Sequence, residues 1–355
     1  MDKRIGMIGV GGIARGKHIP QITEGTGGHV HAICDVDEAM LQQVGEKLGI
    51  PENLRFTDYH QLIACEEVDA VEICTPNHLH VPMALAAVEA GKPFNLEKPL
   101  STNYATAKAL ENALREHPVD NMMCFSYRFM PAVRYAKEIL SQGKLGKIVS
   151  VDVAYLKSSA FWKGRRLDWR FVKEYGGTGV LGDLGVHLID MAQFLIGSVE
   201  EVCGTTEIVV KKRQKLDSEE WADVTTDDYC SFLANMEGGV KAAFTITRCA
   251  LGHANTIKYD IYGTEGVLSF DLNNPQVLGI RLNVQDPNRD MIETVAVPPE
   301  YNIAQEQMFL DLVNGKECQY LPTVEDGMRC QQVLEAIEIS DREKRWVRVD
   351  EIPNL

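Results

Sequence analysis

At 355 residues, with 45% hydrophobic and 25% charged side chains, the chain has globular composition and is too long for one ordinary core, so two domains are expected. A formal net charge of −15 and a pI near 5.1 argue against a nucleic-acid or anionic-membrane surface. There is no run of 18 apolar residues, no charged-then-apolar leader pattern and no C-x-x-C pair among the nine cysteines, which points to a cytoplasmic protein with reduced thiols and no metal site.

"RIGMIGV" is a short apolar run ending in glycines and reads as a buried strand. A helix over Ala14 to Glu24 follows, then a second strand, "HVHAICD", and a helix, "EAMLQQVGEKLG", closed by Gly49. "VDAVEICTP" is the third strand, "HVPMALAAVEAGK" a helix, "PFNLEKP" the fourth strand, "YATAKALENALREH" a helix, and "NMMCFSYRF" the fifth strand. Strands alternating with helices of this length imply parallel β-α-β units, and a first domain over 1–125.

After about Arg128 the pattern changes. "AVRYAKEILSQGKLG" reads as a helix and "IVSVDVAYLK" as an alternating strand. Further alternating strands fall near 200–212, 228–236, 239–249, 255–263 and 266–272, joined by turns such as "NMEGG" and "YGTEG". The expectation for 126–355 is an α/β domain with an antiparallel or mixed sheet and helices on one side.

"GVGGIA" sets Gly9, Gly11 and Ala14 in a G-x-G-x-x-A pattern, with Gly12 and Ile13 between, where the first strand meets the first helix. The first glycine permits a tight turn, the second lets a pyrophosphate approach the backbone, and the small third residue lets helix and strand pack closely. Asp35 closes the second strand 21 residues beyond Ala14, where an acid hydrogen-bonds adenosine ribose hydroxyls. That acid repels a 2′-phosphate, and its neighbours Val36 and Asp37 offer no arginine, so NAD is expected over NADP.

Thr75, Asn77 and His80 follow the third strand, and Glu97 and Lys98 the fourth, at the strand ends where open α/β sheets bind ligands. Asn77 also fits a helix N-cap. His78 and His80, two apart, do not share a helical face, so they do not read as a metal pair. In "GGTGVLGDLGVHLID", Asp183 and His187 lie four apart at the start of an apolar helix, on one face: either a reactive pair or a surface salt bridge. "SSAFWKGRRLDWRF" carries Phe161, Trp162, Trp169 and Arg170, and aromatics beside arginines suit a polyhydroxylated ring or, equally, a core or subunit contact. Tyr127 and Arg128 are similar candidates; His253 and Asn255 are weaker ones.

Taken together, "GVGGIA…CD…TPNHLH…AGKPFNLEKPL…SYRFMPAVR…DWRF…GGTGVLGDLGVHLID" resembles the Gfo/Idh/MocA family of oxidoreductases along essentially the whole chain. The "DWRF…GDLGVHLIDMAQFLIG" region looks most like the family's sugar-type enzymes, the levoglucosan and inositol dehydrogenases among them. The resemblance implies a Rossmann domain followed by an α/β domain whose large, open, mostly antiparallel sheet commonly packs against another subunit, so a homodimer or homotetramer is expected. It implies that Lys98 lies near both nicotinamide and the reacting hydroxyl, that the Lys98–Pro99 bond is cis in many relatives, and that Asp183 and His187 are the D-x-x-x-H catalytic pair.

The expected chemistry is NAD-dependent oxidation of a secondary hydroxyl on a sugar, sugar derivative or cyclitol. His187 is the first choice of general base, because imidazole titrates nearest neutrality; Lys98 is the alternative. Two other readings stand beside this one: an NADP-linked dihydrodiol- or imine-type reductase, and a non-catalytic NAD-binding regulator.

Overall fold

The computed structural model describes residues 2–283 and 292–354. They fall into two compact units. The first comprises Met1–Phe125 with Ile303–Met328, and the second Ser126–Asn302 with Arg329–Leu355. The sequence reading left 303–328 in the second domain; the structure packs that segment with the first unit. Its helix Gln305–Val313 buries Glu306, Met308, Phe309 and Leu310 there.

The first unit is built on six parallel strands: β1 (Lys3–Ile8), β2 (Gly28–Cys34), β3 (Arg55–Phe56), β4 (Ala70–Ile73), β5 (Phe94–Leu96) and β6 (Asn121–Met123). Their order, β3-β2-β1-β4-β5-β6, reverses direction between β1 and β4, the switch point where such sheets bind ligands. Strands β4 and β5 are buried throughout, which is why they read as continuous apolar runs rather than alternating ones. The edge strand β3 is two residues long and too short to register as a periodic pattern. "NMMCFSYRF" contributes only three strand residues; Ser126–Phe129 is a 3-10 turn.

The second unit contains β7 (Ile148–Leu156), β8 (Val199–Glu207), β9 (Lys212–Gln214), β10 (Trp221–Asp223), β11 (Tyr229–Met236), β12 (Val240–Thr247), β13 (Thr256–Gly263), β14 (Gly266–Asp271), β15 (Val277–Leu282), β16 (Glu293–Ala296) and β17 (Val347–Arg348). Strands β9 and β10 form a separate hairpin; the others make one nine-stranded sheet in the order β16-β15-β14-β13-β7-β12-β11-β8-β17. Every pairing in it is antiparallel except β7 with β12. Strands β11 and β12 alternate between buried and more exposed residues, so one face packs on a core. Phe232 and Phe244 stack there, with ring centroids 4.3 Å apart. The other face carries Leu233, about half exposed (54%), and Tyr262 (39%). Among the described residues no helix is long and apolar enough to cross a membrane.

Candidate functional site

In the first unit, Gly9 adopts φ 87°, and a Cβ there would lie 2.7 Å from the Cys74 carbonyl oxygen, so only glycine fits the turn. Ala14 is fully buried beneath the helix that begins here, as close helix–strand packing requires. A Cβ on Gly11 or Gly12 would meet nothing within 4 Å, so the loop keeps open space at the helix start. Backbone N–H groups around that space suit a pyrophosphate. Ile13, 44% exposed, sits at the same place. The Val10 N–H donates to Asp35 Oδ2 (2.8 Å) and the Asp37 N–H to Oδ1 (3.0 Å), which ties the acid at the end of β2 to the glycine loop. The residues present therefore fit a dinucleotide.

The strand-end residues take different parts. His80 is fully buried, with Nδ1 2.7 Å from the Pro99 carbonyl oxygen and Nε2 2.9 Å from that of Thr75. Burial pushes its pKa down against the pull of both carbonyls. Any part it takes at the site runs through these two backbone segments. Asn77 is buried as the first residue of a 3-10 turn, and Pro76 takes the capping position the sequence reading gave to Asn77. The Lys98–Pro99 bond is cis. Lys98 is half-buried, and its N–H donates to Glu97 Oε2 (3.0 Å). Glu97 Oε1 lies 2.9 Å from His18 Nε2. Burial works against the charge on Glu97, but the His18 hydrogen bond and charge, aided by Lys98 and Lys17, hold its pKa at about 2.

In the second unit, Asp183 lies in a π-helical turn, Leu181–Gly185, that runs directly into the α-helix Val186–Leu195 carrying His187. The glycine-rich approach is locked by Asp227, whose Oδ1 accepts from the Gly179 N–H (2.6 Å) and Oδ2 from that of Leu181 (2.9 Å). A Cβ on Gly179 would fall 1.8 Å from the Asp227 carbonyl oxygen, so no larger residue fits. His187 is buried, and its ring centroid is 4.5 Å from that of Tyr127. Asp183 is half-buried. The Tyr127 and Tyr155 hydroxyls are 2.7 Å apart, and the Tyr155 hydroxyl donates to Asn255 Oδ1 (2.9 Å). Burial, then Tyr127, and in smaller part the charge of Asp183 push the Tyr155 pKa up, so it stays a neutral hydroxyl.

Two expectations need correction. Arg128, expected to meet substrate, is 5% exposed and makes a bidentate pair with Asp190, with Nε to Oδ2 at 2.8 Å and Nη2 to Oδ1 at 2.5 Å. A buried guanidinium needs such a partner, and Arg128 ties the 3-10 turn to the helix that carries His187 instead. The aromatic loop also divides. Trp162 and Phe161 are exposed (56% and 46%), Trp169 is half-buried, and the Arg170 guanidinium lies 4.2 Å from the Trp169 ring. His253 Nδ1 is engaged with Thr256 Oγ1 (3.1 Å). Tyr155, Asp227 and His18 were missed. Asp227 left a signal, two consecutive acids at the entry to a strand, as did Tyr155 on the buried side of an alternating strand.

Residues 3–125 match the oxidoreductase family with an NAD-binding Rossmann fold, and residues 133–269 match the Gfo/Idh/MocA C-terminal domain. Levoglucosan dehydrogenase of Pseudarthrobacter phenanthrenivorans is 27% identical, over 90% of this chain and 89% of its own. A solved levoglucosan dehydrogenase in complex with NADH superimposes with a TM-score of 0.89 at 26% identity, covering 98% of this chain and 99% of that one. An NAD-binding oxidoreductase from Klebsiella pneumoniae does so with a TM-score of 0.87 at 30% identity, covering 98% and 99%. With both domain types matched in order, the chain belongs to the Gfo/Idh/MocA family of NAD-binding sugar oxidoreductases.

Proposed function

We propose that the protein oxidises a secondary hydroxyl of a sugar, sugar derivative or cyclitol, with NAD as the hydride acceptor. The observation that carries this reading is the pairing of Asp183 and His187 along one helix, its start locked by Asp227 and its histidine packed at a tilt against Tyr127, which opens a chain of hydroxyl and amide groups. A general base flanked by hydrogen-bonding groups suits a polyhydroxylated ligand. A regulator without chemistry has no need of such a set.

Gly9, Gly11, Gly12 and Ile13 would hold the pyrophosphate of NAD and Asp35 the ribose, with Thr75, Asn77 and Glu97 framing the strand ends. When bound, NAD supplies the carbon that accepts hydride. His187 takes the hydroxyl proton, and Lys98 hydrogen-bonds the oxygen as negative charge builds on it. Asp183 orients the substrate or the imidazole. Tyr127, Trp162, Trp169 and Arg170 meet the sugar ring. The exposed face of the nine-stranded sheet, with Leu233 and Tyr262, is where a homo-oligomer would form.

The test is NADH formation with a panel of levoglucosan, myo-inositol, glucose and glucose 6-phosphate, together with titrations of NAD and NADP. Oxidation of a panel member and tighter binding of NAD are expected. Tighter binding of NADP overturns the cofactor assignment; an inert panel with intact NAD binding favours the regulator. Asp35→Ser with Val36→Arg shifts preference toward NADP, because it removes the acid that repels a 2′-phosphate and supplies a cation to hold one.

A further inference from the structure

Beneath the Glu97–Lys98 turn, the first unit closes a histidine inside three carboxylates. His18 ends the first turn of the helix after the glycine loop and is fully buried. Its Nδ1 lies 2.7 Å from Glu306 Oε1 and 3.0 Å from Glu72 Oε1, and its Nε2 lies 2.9 Å from Glu97 Oε1. The Asn95 amide donates to both Glu72 oxygens (3.0 and 2.9 Å) and to Glu306 Oε2 (3.1 Å). Gln305 donates to Glu306 Oε1 (2.7 Å) and accepts from Lys17 Nζ (3.1 Å). The Cys74 and Cys124 thiols face Glu72 at 3.9 and 3.7 Å.

Ionised carboxylates only accept hydrogen bonds, so a ring with carboxylate oxygens against both nitrogens must donate from both. That ring is an imidazolium. Burial alone would lower the His18 pKa; Cys74, Glu306, Cys124 and Glu72 together raise it well above the usual histidine range. Glu72 is pushed up to about 7, by burial first and then by Glu306, so it takes up a proton as pH falls through neutrality, while Glu306 and Glu97 still face the two ring nitrogens. Contacts of 2.7–3.0 Å between the imidazole nitrogens and the acids are hydrogen-bond lengths, and no single metal ion reaches both nitrogens of one ring.

A buried ionic cluster is a poor way to gain stability, since apolar side chains of equal volume do as well or better. This one has a specific output. The imidazolium holds one oxygen of Glu97, and the other oxygen accepts the backbone N–H of Lys98. We propose that His18 is a positioning residue for Lys98, a buried imidazolium clamped by Glu306 and Glu72 that fixes Glu97 and, through it, the backbone bearing the reactive amine. The inference rests on the reading in which Lys98 takes part in hydroxyl oxidation.

The test uses the full-length protein, the best substrate of the panel above, and ¹⁵N NMR of protein labelled at histidine. His18→Gln is expected to lower kcat about ten- to a hundredfold, as misplaced catalytic groups do, while the NAD dissociation constant stays within about threefold. Combined with Lys98→Met, it should cost nothing beyond Lys98→Met alone. Glu306→Gln, which keeps the side-chain volume, should lower kcat less and make activity fall at lower pH on the alkaline side, because the imidazolium loses a carboxylate. The His18 ¹⁵N resonances should show an imidazolium at pH 8, a readout that needs no substrate and covers the case in which His18→Gln fails to fold. A folded His18→Gln protein with wild-type kcat, multiplying losses in the double variant, a neutral imidazole, or one bound metal ion per chain each overturns the proposal. Wild-type turnover in Lys98→Met, by contrast, removes Lys98 from the reaction and is recognised by that single variant.

Discussion

His18 and His187 are both buried histidines on helices that start from glycine-rich turns, yet their surroundings differ in kind. His18 has carboxylates against both ring nitrogens and a fixed proton count. His187 has the Tyr127 ring tilted against its own, a half-buried carboxylate one turn earlier, and the Tyr127–Tyr155 pair of hydroxyls nearby. An imidazole held charged by several acids cannot accept a proton at neutral pH, so it serves as a strut. The environment, and not the residue type, separates the strut from the proposed base.

The sharpest way to break this contrast is His187→Ala. Loss of a general base lowers kcat by ~10²–10⁴-fold, and NAD binding should stay nearly constant, since the residues proposed to hold the pyrophosphate and ribose are untouched. Steady-state rates and NAD titrations decide it, and near-wild-type turnover would return His187 to a packing role. Next in size is Asp227→Ala. It strips the Gly179 and Leu181 N–H groups of their buried acceptor, and a loss of about 3 kcal/mol in unfolding free energy is expected, with Asp227→Asn milder because one acceptor remains. Denaturant titration measures it; an unchanged midpoint would mean the His187 helix does not depend on that anchor.

The His18 cluster makes a prediction about pH. Glu72, at about 7 when folded, keeps a proton that the unfolded chain releases near 4.5, so its contribution to stability is present below 4.5 and lost as pH rises to 7. His18, also raised, contributes below 6.5 and loses that contribution as pH climbs through its folded value. Glu97, at about 2, works the other way: its contribution is present above 4.5 and lost as pH falls toward 2. Thermal stability should therefore decline by on the order of 2 kcal/mol between pH 5 and 7, and Glu72→Gln should flatten that part of the decline. Melting curves between pH 5 and 9 that are flat for the wild type would contradict it.

What the sequence disclosed follows from how far apart the interacting residues lie. The β-α alternation, the glycine loop and the Asp183/His187 spacing are local, and they read directly as a Rossmann unit followed by a largely antiparallel one. The Gln305–Val313 helix joins the first unit through contacts such as His18 with Glu306, 288 residues apart, which no periodicity encodes. His18 itself looked like one more polar residue on a helix. Arg128 was misread because its partner, Asp190, lies 62 residues on; an acid within an otherwise apolar helix was the available hint. The short strands β3 and β17 carry too few residues to show a pattern.

The smallest expected effect is that of Tyr155→Phe, and it sharpens the contrast from the neutral side. The Tyr155 hydroxyl links Tyr127 to Asn255, and its own ring is 2% exposed. Its partners have other recourse: Asn255 is exposed and Tyr127 half-buried, so water can replace the lost hydroxyl on both sides. The net cost in stability is then about 1 kcal/mol, the ordinary worth of a hydrogen bond whose partners are not left dry. If the chain of hydroxyls orients substrate, KM rises several-fold while kcat holds, because the interaction is made equally before and during the reaction. If instead the hydroxyls carried the proton away from His187, kcat would fall with KM unchanged. Steady-state kinetics on this one variant separates orientation from proton transfer, since phenylalanine keeps the ring and removes only the oxygen.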